Sequence, residues 1–254
     1  MNILITNDDG IYAQGIYKLA CALDNIANIY VVAPDRQRSA TGHAITMHEP
    51  LRAEKIKFFD KDFQAWAISG TPTDCVKLAI EALIPEKINI VFSGINKGPN
   101  LGTDVLYSGT VSAAIEGAIL GYPAVAVSLA DFKDVDYNYA AEFCMSLAKK
   151  ILDNPLPEDT LLNVNIPNCK KETLKGVNIT TLGVRKYKNS FIERIDPRGQ
   201  SYYWLGGEIM DEKNHEGTDI HSIKNDAISI TPIHFDLTKF DLIEQVKKWN
   251  IEIN

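Results

Sequence analysis

The sequence is poor in positive charge. Lys and Arg number 26 against 33 Asp and Glu, which gives a formal net charge of −7. No run of basic residues interrupts this acidic background, so the composition argues against a nucleic-acid polymer as the main partner. A small phosphorylated ligand stays compatible with it, because such a ligand needs positive charge only locally.

Cysteine and long apolar runs are also scarce. The four cysteines are widely spaced and form no C-x-x-C pair, which is typical of reduced, mostly buried thiols in a cytoplasmic protein. No apolar run approaches the length of a membrane span. The opening stretch MNILITNDDG lacks the basic residues of a secretory signal. We therefore expect a cytoplasmic protein with no membrane partner.

Short apolar runs alternate with helical patterns over the first 160 residues. The runs that predict buried strands cover 2–6, 29–34, 88–94 and 124–129. Apolar residues at helical spacing predict helices over 13–24, 72–84, 109–120 and 137–152. This alternation predicts one α/β domain with a Rossmann-like, doubly wound, mostly parallel sheet.

The pattern changes after about residue 160. Residues 161–167 and 177–183 still predict strands, whereas 184–208 mixes charge and aromatics around Pro197-Arg198-Gly199. We interpret that stretch as a hairpin or extended arm. Its row Tyr202-Tyr203-Trp204 would be a large exposed apolar patch unless it is covered by the chain's own core or, as we favour, by a partner subunit.

Polar clusters follow several of the predicted strands. If the sheet is parallel, the clusters after its strands lie at one edge, so side chains far apart in sequence converge there. The clusters are Asn7-Asp8-Asp9-Gly10, APDRQRSATGH (33–43), SGINKGPN (93–100) and YSGTVSAAIEG (107–117), the last of which opens a helix.

Two adjacent carboxylates at a strand end repel each other. Asp8 and Asp9, with the hydroxyl of Ser39 and the amide oxygen of Asn96, form a set of hard oxygen donors. Such a set favours Mg²⁺ or Mn²⁺ over structural zinc, and the charge of the ion would offset the repulsion. Taken alone, Asp-Asp-Gly is more often a turn or a helix cap, and Ser39 is a loop hydroxyl.

The stretch YSGTVSAA has the composition of an anion-binding helix start. Free N–H groups and the helix dipole attract phosphate there; Ser108 and Thr110 add hydroxyl donors, and Gly109 allows close backbone approach. Ordinary N-capping is the alternative interpretation. A cation beside this start predicts phosphoryl hydrolysis by a metal-bound water, with attack by Asp8 or Asp9 as the alternative.

Glu116 is an unusual residue inside an apolar helix. It either orients a loop through hydrogen bonds or lies on a partly exposed helix face. The stretch SGTPTDCVKLAI (69–80) is interpreted as a helix cap with Pro72 at an early helical position.

Five sequence blocks occur in this order: ILITNDDG, VVAPDRQRSA, SGTPTDCVKLAI, VFSGINKGPNLGTDVLYSGTVSAAIEG and AVAVSL. Together they closely resemble the SurE survival-protein family of acid-phosphatase-like 5′-nucleotidases. The resemblance spans nearly the whole chain and is densest over 1–130.

The resemblance implies a role for each matching position. The NDDG, DRxRS and SGIN motifs place the metal ligands at Asp8, Asp9, Ser39 and Asn96. The phosphate pocket of the family matches Asn100, Ser108, Gly109 and Thr110. Two departures remove no ligand: Ala40 follows the metal-binding Ser where Gly is common, and Pro99 replaces the usual Ala.

The resemblance also implies an activity and an assembly. Members use one divalent metal ion per subunit, Mg²⁺ or Mn²⁺, to release phosphate from nucleoside 5′-monophosphates, and some act on 3′-nucleotides or short polyphosphate. They form homodimers or homotetramers with exchanged C-terminal segments. We accordingly expect one domain over 1–254: a core over about 1–183, a protruding arm over 184–216 and an oligomerisation segment over 217–254. The alternatives are a non-catalytic nucleotide-binding module and a sugar-phosphate phosphatase.

Overall fold

The computed structural model describes residues 1–133, 135–211 and 214–251. The strands of this part of the chain are β1 (Asn2–Thr6), β2 (Asn28–Pro34), β3 (Ala53–Phe58), β4 (Lys61–Ile68), β5 (Ile90–Lys97), β6 (Ala124–Leu129), β7 (Thr160–Ile166), β8 (Val177–Ile179), β9 (Lys186–Lys188), β10 (Phe191–Ile195), β11 (Ser201–Leu205), β12 (Glu208–Met210) and β13 (Ile228–His234). The α-helices are α1 (Gln14–Leu23), α2 (Pro72–Leu78), α3 (Gly109–Ile119), α4 (Asn138–Asp153), α5 (Asp219–Lys224) and α6 (Phe240–Lys247).

A nine-stranded sheet in the order β3-β4-β2-β1-β5-β6-β7-β13-β8 forms the centre of the molecule. Neighbouring strands are parallel except for the pairs β3–β4 and β7–β13. The predicted Rossmann-like, doubly wound, mostly parallel sheet is therefore confirmed.

The central strands are apolar on both faces because helices cover both. One face packs Ile3, Ile5 and their neighbours against α1 and α4. The other packs Leu4 and Val91 against α2 and α3. Continuous apolar runs such as AVAVSL in β6, which is buried along its whole length, follow from this two-sided cover.

Two strands were not predicted from the sequence. The hairpin β3–β4 adds an edge to the sheet, with β4 parallel to β2 and β3 antiparallel to β4. Charged residues occupy much of β3, five of whose six residues are outside the core. A half-buried edge strand therefore lacks the continuous apolar run that marks the central strands.

The start of α2 has the cap that its sequence predicted. Thr71 is the N-cap residue, its hydroxyl accepts a hydrogen bond from the Asp74 N–H, and the Asp74 carboxylate accepts from the Thr71 N–H. Pro72 occupies the first helical position, where its missing N–H costs nothing. A π-helical turn, Ala79–Leu83, continues the helix.

The strands between 186 and 210 pair only with one another within the described residues. β10 pairs with β11 and β12 with β9, both antiparallel, and every residue of these strands is exposed. The side chains of Tyr203 and Trp204 are 62% and 64% exposed. Helix α6 also has no buried residue.

The predicted division into core, arm and oligomerisation segment stays a prediction. Residues 212 and 213 of the predicted arm, and residues 252–254 of the predicted oligomerisation segment, lie outside the described residues. In the part of the chain that is described, no helix is both long and apolar enough to cross a membrane.

Candidate metal and phosphate site

The turn after β1 places Asp8 and Asp9 at the carboxyl edge of the sheet. The Asn7 side-chain amide donates to the Gly10 carbonyl at 2.9 Å and closes the turn. Gly10 has φ +97°, and a Cβ there would lie 3.1 Å from the Arg36 carbonyl carbon. Only glycine therefore lets this turn approach the loop that follows β2.

That loop brings Ser39 to the same edge. The Arg38 N–H donates to the Asp8 carbonyl oxygen at 2.7 Å, so Ser39 directly follows a residue bonded to the turn. The Ser39 hydroxyl accepts a hydrogen bond from Gln37 at 2.9 Å. Ala40, at one of the two positions where the sequence departs from the family pattern, adopts φ +56°.

The end of β5 brings Asn96 to the other side of the turn. The Lys97 N–H donates to Asp9 Oδ2 at 3.1 Å. The Asn96 side-chain N–H donates to the Gly98 carbonyl at 2.8 Å, which fixes the orientation of the amide. Its Oδ1 accepts no hydrogen bond from any residue that the structure describes.

The start of α3 closes over Asp8. A Cβ at Gly109 would lie 2.8 Å from the Asp8 Cβ and 3.0 Å from its Oδ2, so a side chain at this position is excluded. The Thr110 hydroxyl donates to Asp8 Oδ1 at 2.5 Å. The Ser108 hydroxyl oxygen caps the helix by accepting from the Val111 N–H at 3.1 Å, which leaves its own hydrogen free to donate.

Neither of the two carboxylates, Asp8 and Asp9, forms an ion pair with any described residue. Burial raises the pKa of Asp8 to about 6, the Thr110 hydrogen bond opposes this rise, and the charge of Asp9 adds to it. Burial also raises the pKa of Asp9, and both the Lys97 N–H and the charge of Lys97 oppose this rise. No cationic side chain among the described residues lowers the pKa of Asp8, so a bound cation would stabilise the ionised form of this pair.

Asn100 lies deeper, at the ends of β6 and β7. Its backbone N–H donates to Asn165 Oδ1 at 2.8 Å, and its carbonyl accepts from the side-chain amides of Asn163 and Asn165, both at 2.9 Å. Its side-chain amide donates to the Ser128 hydroxyl at 2.8 Å. One hydrogen of that amide is thus used, and one stays available.

The structure brings all eight predicted site residues to one edge of the sheet, in four connected loops. Within the described residues, no group of three or more His, Cys, Asp or Glu side chains could hold a metal ion. The set of two carboxylates, one hydroxyl and one amide oxygen fits a hard divalent ion that shares its coordination with a ligand and water. The buried oxygens that have no hydrogen-bond partner in the described part of the chain include Thr6 Oγ1, Asn7 Oδ1, Ser93 Oγ and Asn163 Oδ1.

The comparison with known families identifies the family of this chain. The family model described as Survival protein SurE matches residues 3–189, which include all eight site residues. The chain belongs to the SurE family.

Relatives match over the whole length of this SurE chain. The protein named 5′-nucleotidase SurE from Heliobacterium modesticaldum is 55% identical over 98% of this chain and 92% of its own. The one from Alkaliphilus metalliredigens is 53% identical over 99% and 100%. The crystal structure of the SurE protein from Aquifex aeolicus superposes with a TM-score of 0.87 at 42% identity, covering 99% and 100% of the two chains.

Glu116 orients a loop, which was one of the two alternatives for this residue in the SurE chain. It is buried on α3 and lies 2.9 Å from His43 Nε2, with the Lys77 ammonium at 3.7 Å. His43 belongs to the loop that carries Ser39, so α3 holds this loop as well as the phosphate-binding turn. The sequence signal was a carboxylate inside an apolar helix; its partner His43 carried none.

Proposed function

We propose that this SurE chain is a divalent-metal-dependent 5′-nucleotidase, which releases phosphate from nucleoside 5′-monophosphates. The observation that carries the proposal is the contact between Asp8 and the start of α3. Two carboxylates that form no ion pair with the described residues adjoin a helix N-terminus that attracts anions, and Gly109 allows the close approach of the two. The name carried by the curated relatives supports the same enzyme class.

Asp8, Asp9, Ser39 and Asn96 would hold one Mg²⁺ or Mn²⁺ per subunit. When bound, such an ion polarises phosphoryl oxygens and neutralises the charge that develops during hydrolysis. The chain contributes the placement of the donors. The Lys97 N–H holds Asp9, the Thr110 hydroxyl holds Asp8, and the Gly98 carbonyl fixes the orientation of the Asn96 amide.

The phosphate would bind at the start of α3. The free N–H groups of the first turn, the Ser108 hydroxyl and the remaining amide hydrogen of Asn100 are donors that suit phosphate oxygens. A phosphate held by these donors would lie close to Asp8, because Asp8 and the Ser108-Gly109-Thr110 turn are in direct contact. The negative phosphate and the carboxylates would repel each other, and a bound cation would offset this repulsion.

We infer that water, rather than an aspartate, attacks the phosphorus. Asp8 Oδ1 already accepts the Thr110 hydroxyl, and Asp9 Oδ2 accepts the Lys97 N–H, so each carboxylate has one oxygen engaged. In the reaction, the oxygen of water bonds to phosphorus and the bond from phosphorus to the nucleoside oxygen breaks. A single turnover of AMP labelled with ³²P, quenched in acid, should leave no label on the protein; a phosphorylated protein would indicate an aspartyl-phosphate intermediate.

The activity is tested by phosphate release from AMP with Mn²⁺, with and without EDTA. We expect release that EDTA abolishes and added Mn²⁺ restores. Parallel reactions with a sugar phosphate, a 3′-nucleotide and short polyphosphate define the substrate range. Binding of AMP without release from any of these substrates would instead indicate a regulatory module. A cytoplasmic homodimer or homotetramer with exchanged C-terminal segments, free of membrane and nucleic-acid partners, is part of the same proposal.

A further inference from the structure

The segment between Asn100 and Ser108 joins the two parts of the proposed phosphate site. It consists of Leu101 and a 3₁₀ turn, Gly102–Leu106, followed by Tyr107. No residue of this segment belongs to the donor set. Its path nevertheless fixes where Asn100 lies relative to the start of α3.

A buried carboxylate from the C-terminal part of the chain holds this segment at its beginning. Asp219 is fully buried, and its Oδ2 accepts the Gly102 N–H at 2.7 Å. Its Oδ1 accepts the N–H groups of Gly183 at 2.7 Å and Ile220 at 2.8 Å. A Cβ at Gly102 would lie 2.8 Å from the Gly183 carbonyl oxygen, so the two backbone segments are packed without space for a side chain.

An arginine holds the same segment in its middle. Arg185 Nη1 lies 3.1 Å from Asp104 Oδ2, and Nη2 lies 3.4 Å from Asp211 Oδ2. The Tyr187 hydroxyl donates to the same Asp104 oxygen at 2.6 Å, and the Thr103 hydroxyl donates to the Arg185 carbonyl at 2.8 Å. We call Asp104, Arg185, Tyr187 and Asp211 the arm-root cluster.

Three residues of the arm-root cluster are largely shielded from water, whereas the fourth, Tyr187, is 44% exposed. The side chains of Arg185 and Asp211 are 9% and 10% exposed, and that of Asp104 is 20% exposed. Burial by itself would lower the pKa of Arg185, but Asp211 and Asp104 outweigh it and raise the pKa. In such surroundings, removing one partner leaves a buried charge unpaired, so the remaining groups must move.

The cluster lies where the exposed strands begin and end. Arg185 directly precedes β9, and Asp211 directly follows β12. One guanidinium therefore joins both ends of this stretch to the segment that leads to Ser108. The metal donors, by contrast, lie after β1, after β2 and at the end of β5. None of them contacts the cluster through a hydrogen bond or ion pair in the described residues.

We propose that Arg185, acting through Asp104, is a positioning residue that holds the phosphate-binding segment 100–108 in place. The packing of the base of the arm against this segment therefore sets the affinity of the site for substrate but not for metal. This inference rests on the proposed function. It adds a residue from the arm root, far along the chain from the donor set, to the determinants of substrate binding.

The test compares Arg185→Met with Arg198→Met, which removes an exposed arginine from the tip of the arm. For Arg185→Met we expect the KM for AMP to rise at least about tenfold, since small displacements of positioning groups have large effects on binding and turnover. The affinity for Mn²⁺, titrated without substrate, should stay within about twofold of wild type. Arg198→Met should leave both quantities unchanged.

Two further variants separate positioning from a loss of folding. Arg185→Lys keeps the charge and should recover part of the affinity. Asp104→Asn should raise the KM as well, and adding Arg185→Met to it should raise the KM little further, because the two residues act as one unit. An unchanged KM in folded Arg185→Met, or in Asp104→Asn if Arg185→Met fails to fold, would overturn the proposal.

Binding of AMP by titration calorimetry keeps this test distinct from that of the proposed function. If wild type binds AMP but releases no phosphate, the proposed function fails, and weaker binding of AMP by Arg185→Met would still support the positioning role. If wild type is an active nucleotidase and Arg185→Met binds AMP and Mn²⁺ as wild type does, only the positioning role fails.

Discussion

The site edge of the sheet and the arm between 186 and 210 are opposites in chemistry. At the edge, charged and polar side chains are buried, as Asp8 and Thr110 are. In the arm, large apolar side chains are exposed, as Tyr203 and Trp204 are. Each arrangement is costly unless a further component compensates it.

The difference indicates what each region lacks. A small cation would offset the charge of the carboxylates, and the donor set fits a divalent ion. A large apolar surface would cover the exposed aromatic row, and a second copy of the chain would supply it in the assembly that we propose. The variants below test the two regions separately.

The largest effect is expected for Asp8→Asn, which keeps the shape of the side chain and removes its charge. We expect turnover of AMP to fall by about 10³-fold or more, because the metal site loses a carboxylate. The fold should not suffer. Burial raises the pKa of Asp8 to about 6, so the ionised form costs stability above that pH, and the neutral amide relieves the cost.

Phosphate release from AMP with Mn²⁺ tests the expected loss of turnover, and thermal unfolding in EDTA tests the expected stability. The matched control is Asp24→Asn, an exposed carboxylate at the end of α1. A turnover near that of wild type in Asp8→Asn would remove Asp8 from the site. An unfolding temperature well below that of wild type would contradict the unpaired state of the carboxylate.

The next largest effect is expected for Gly109→Ala. The new Cβ would lie 2.8 Å from the Asp8 Cβ, so α3 and Asp8 must separate, and we expect kcat/KM to fall by about 10²-fold. Gly206→Ala in the arm is the control, since its Cβ meets only the flexible end of Ile192. Equal activity of both variants would mean that the helix start does not act together with Asp8.

A smaller effect is expected for Thr110→Val, which deletes the hydroxyl that holds Asp8. A hydrogen bond to a charged group contributes about 1.5–3 kcal/mol, which predicts a loss in kcat/KM of about 10- to 100-fold. Thr110→Ser keeps the hydroxyl and should retain most of the activity. Near wild-type activity in Thr110→Val, with a loss in Thr110→Ser, would mean that the methyl group rather than the hydrogen bond matters at this position.

The smallest effect on catalysis is expected for Trp204→Arg, which places charge in the exposed aromatic row. We expect the molar mass in light scattering to drop toward that of a smaller assembly, because a partner surface would have to bury the new charge. Leu152→Arg, an exposed apolar position of α4, is the control. An unchanged mass for Trp204→Arg would exclude this row from the interface between copies.

Much of the fold was predictable because its central strands are buried on both faces. Continuous apolar runs gave the positions of β1 and β6, and the predicted family is confirmed. The edge hairpin β3–β4 was not predicted because β3 is mostly exposed and rich in charged residues. It therefore lacks the continuous apolar run that marks a central strand. The antiparallel placement of β13 next to β7 depends on long-range pairing, which no local signal encodes.

The candidate site was predictable in its residues more than in their contacts. Strand-end position and donor chemistry led to Asp8 and Asn96. The sequence indicated the Thr110 hydroxyl only as a donor to phosphate. Its hydrogen bond to Asp8 depends on how α3 packs against the end of β1. The pairing of Glu116 with His43 and of Arg185 with Asp104 links residues 73 and 81 positions apart, and neither pair shares a local motif.

The most direct test of the account is a calorimetric titration of Mn²⁺ into the metal-free chain, in wild type and in Asp8→Asn. The account predicts one ion per subunit in wild type and binding at least about 100-fold weaker in the variant, since a buried carboxylate is lost from the site. Binding of equal affinity in both would contradict the claim that Asp8 and Asp9 together hold a divalent ion at this edge of the sheet.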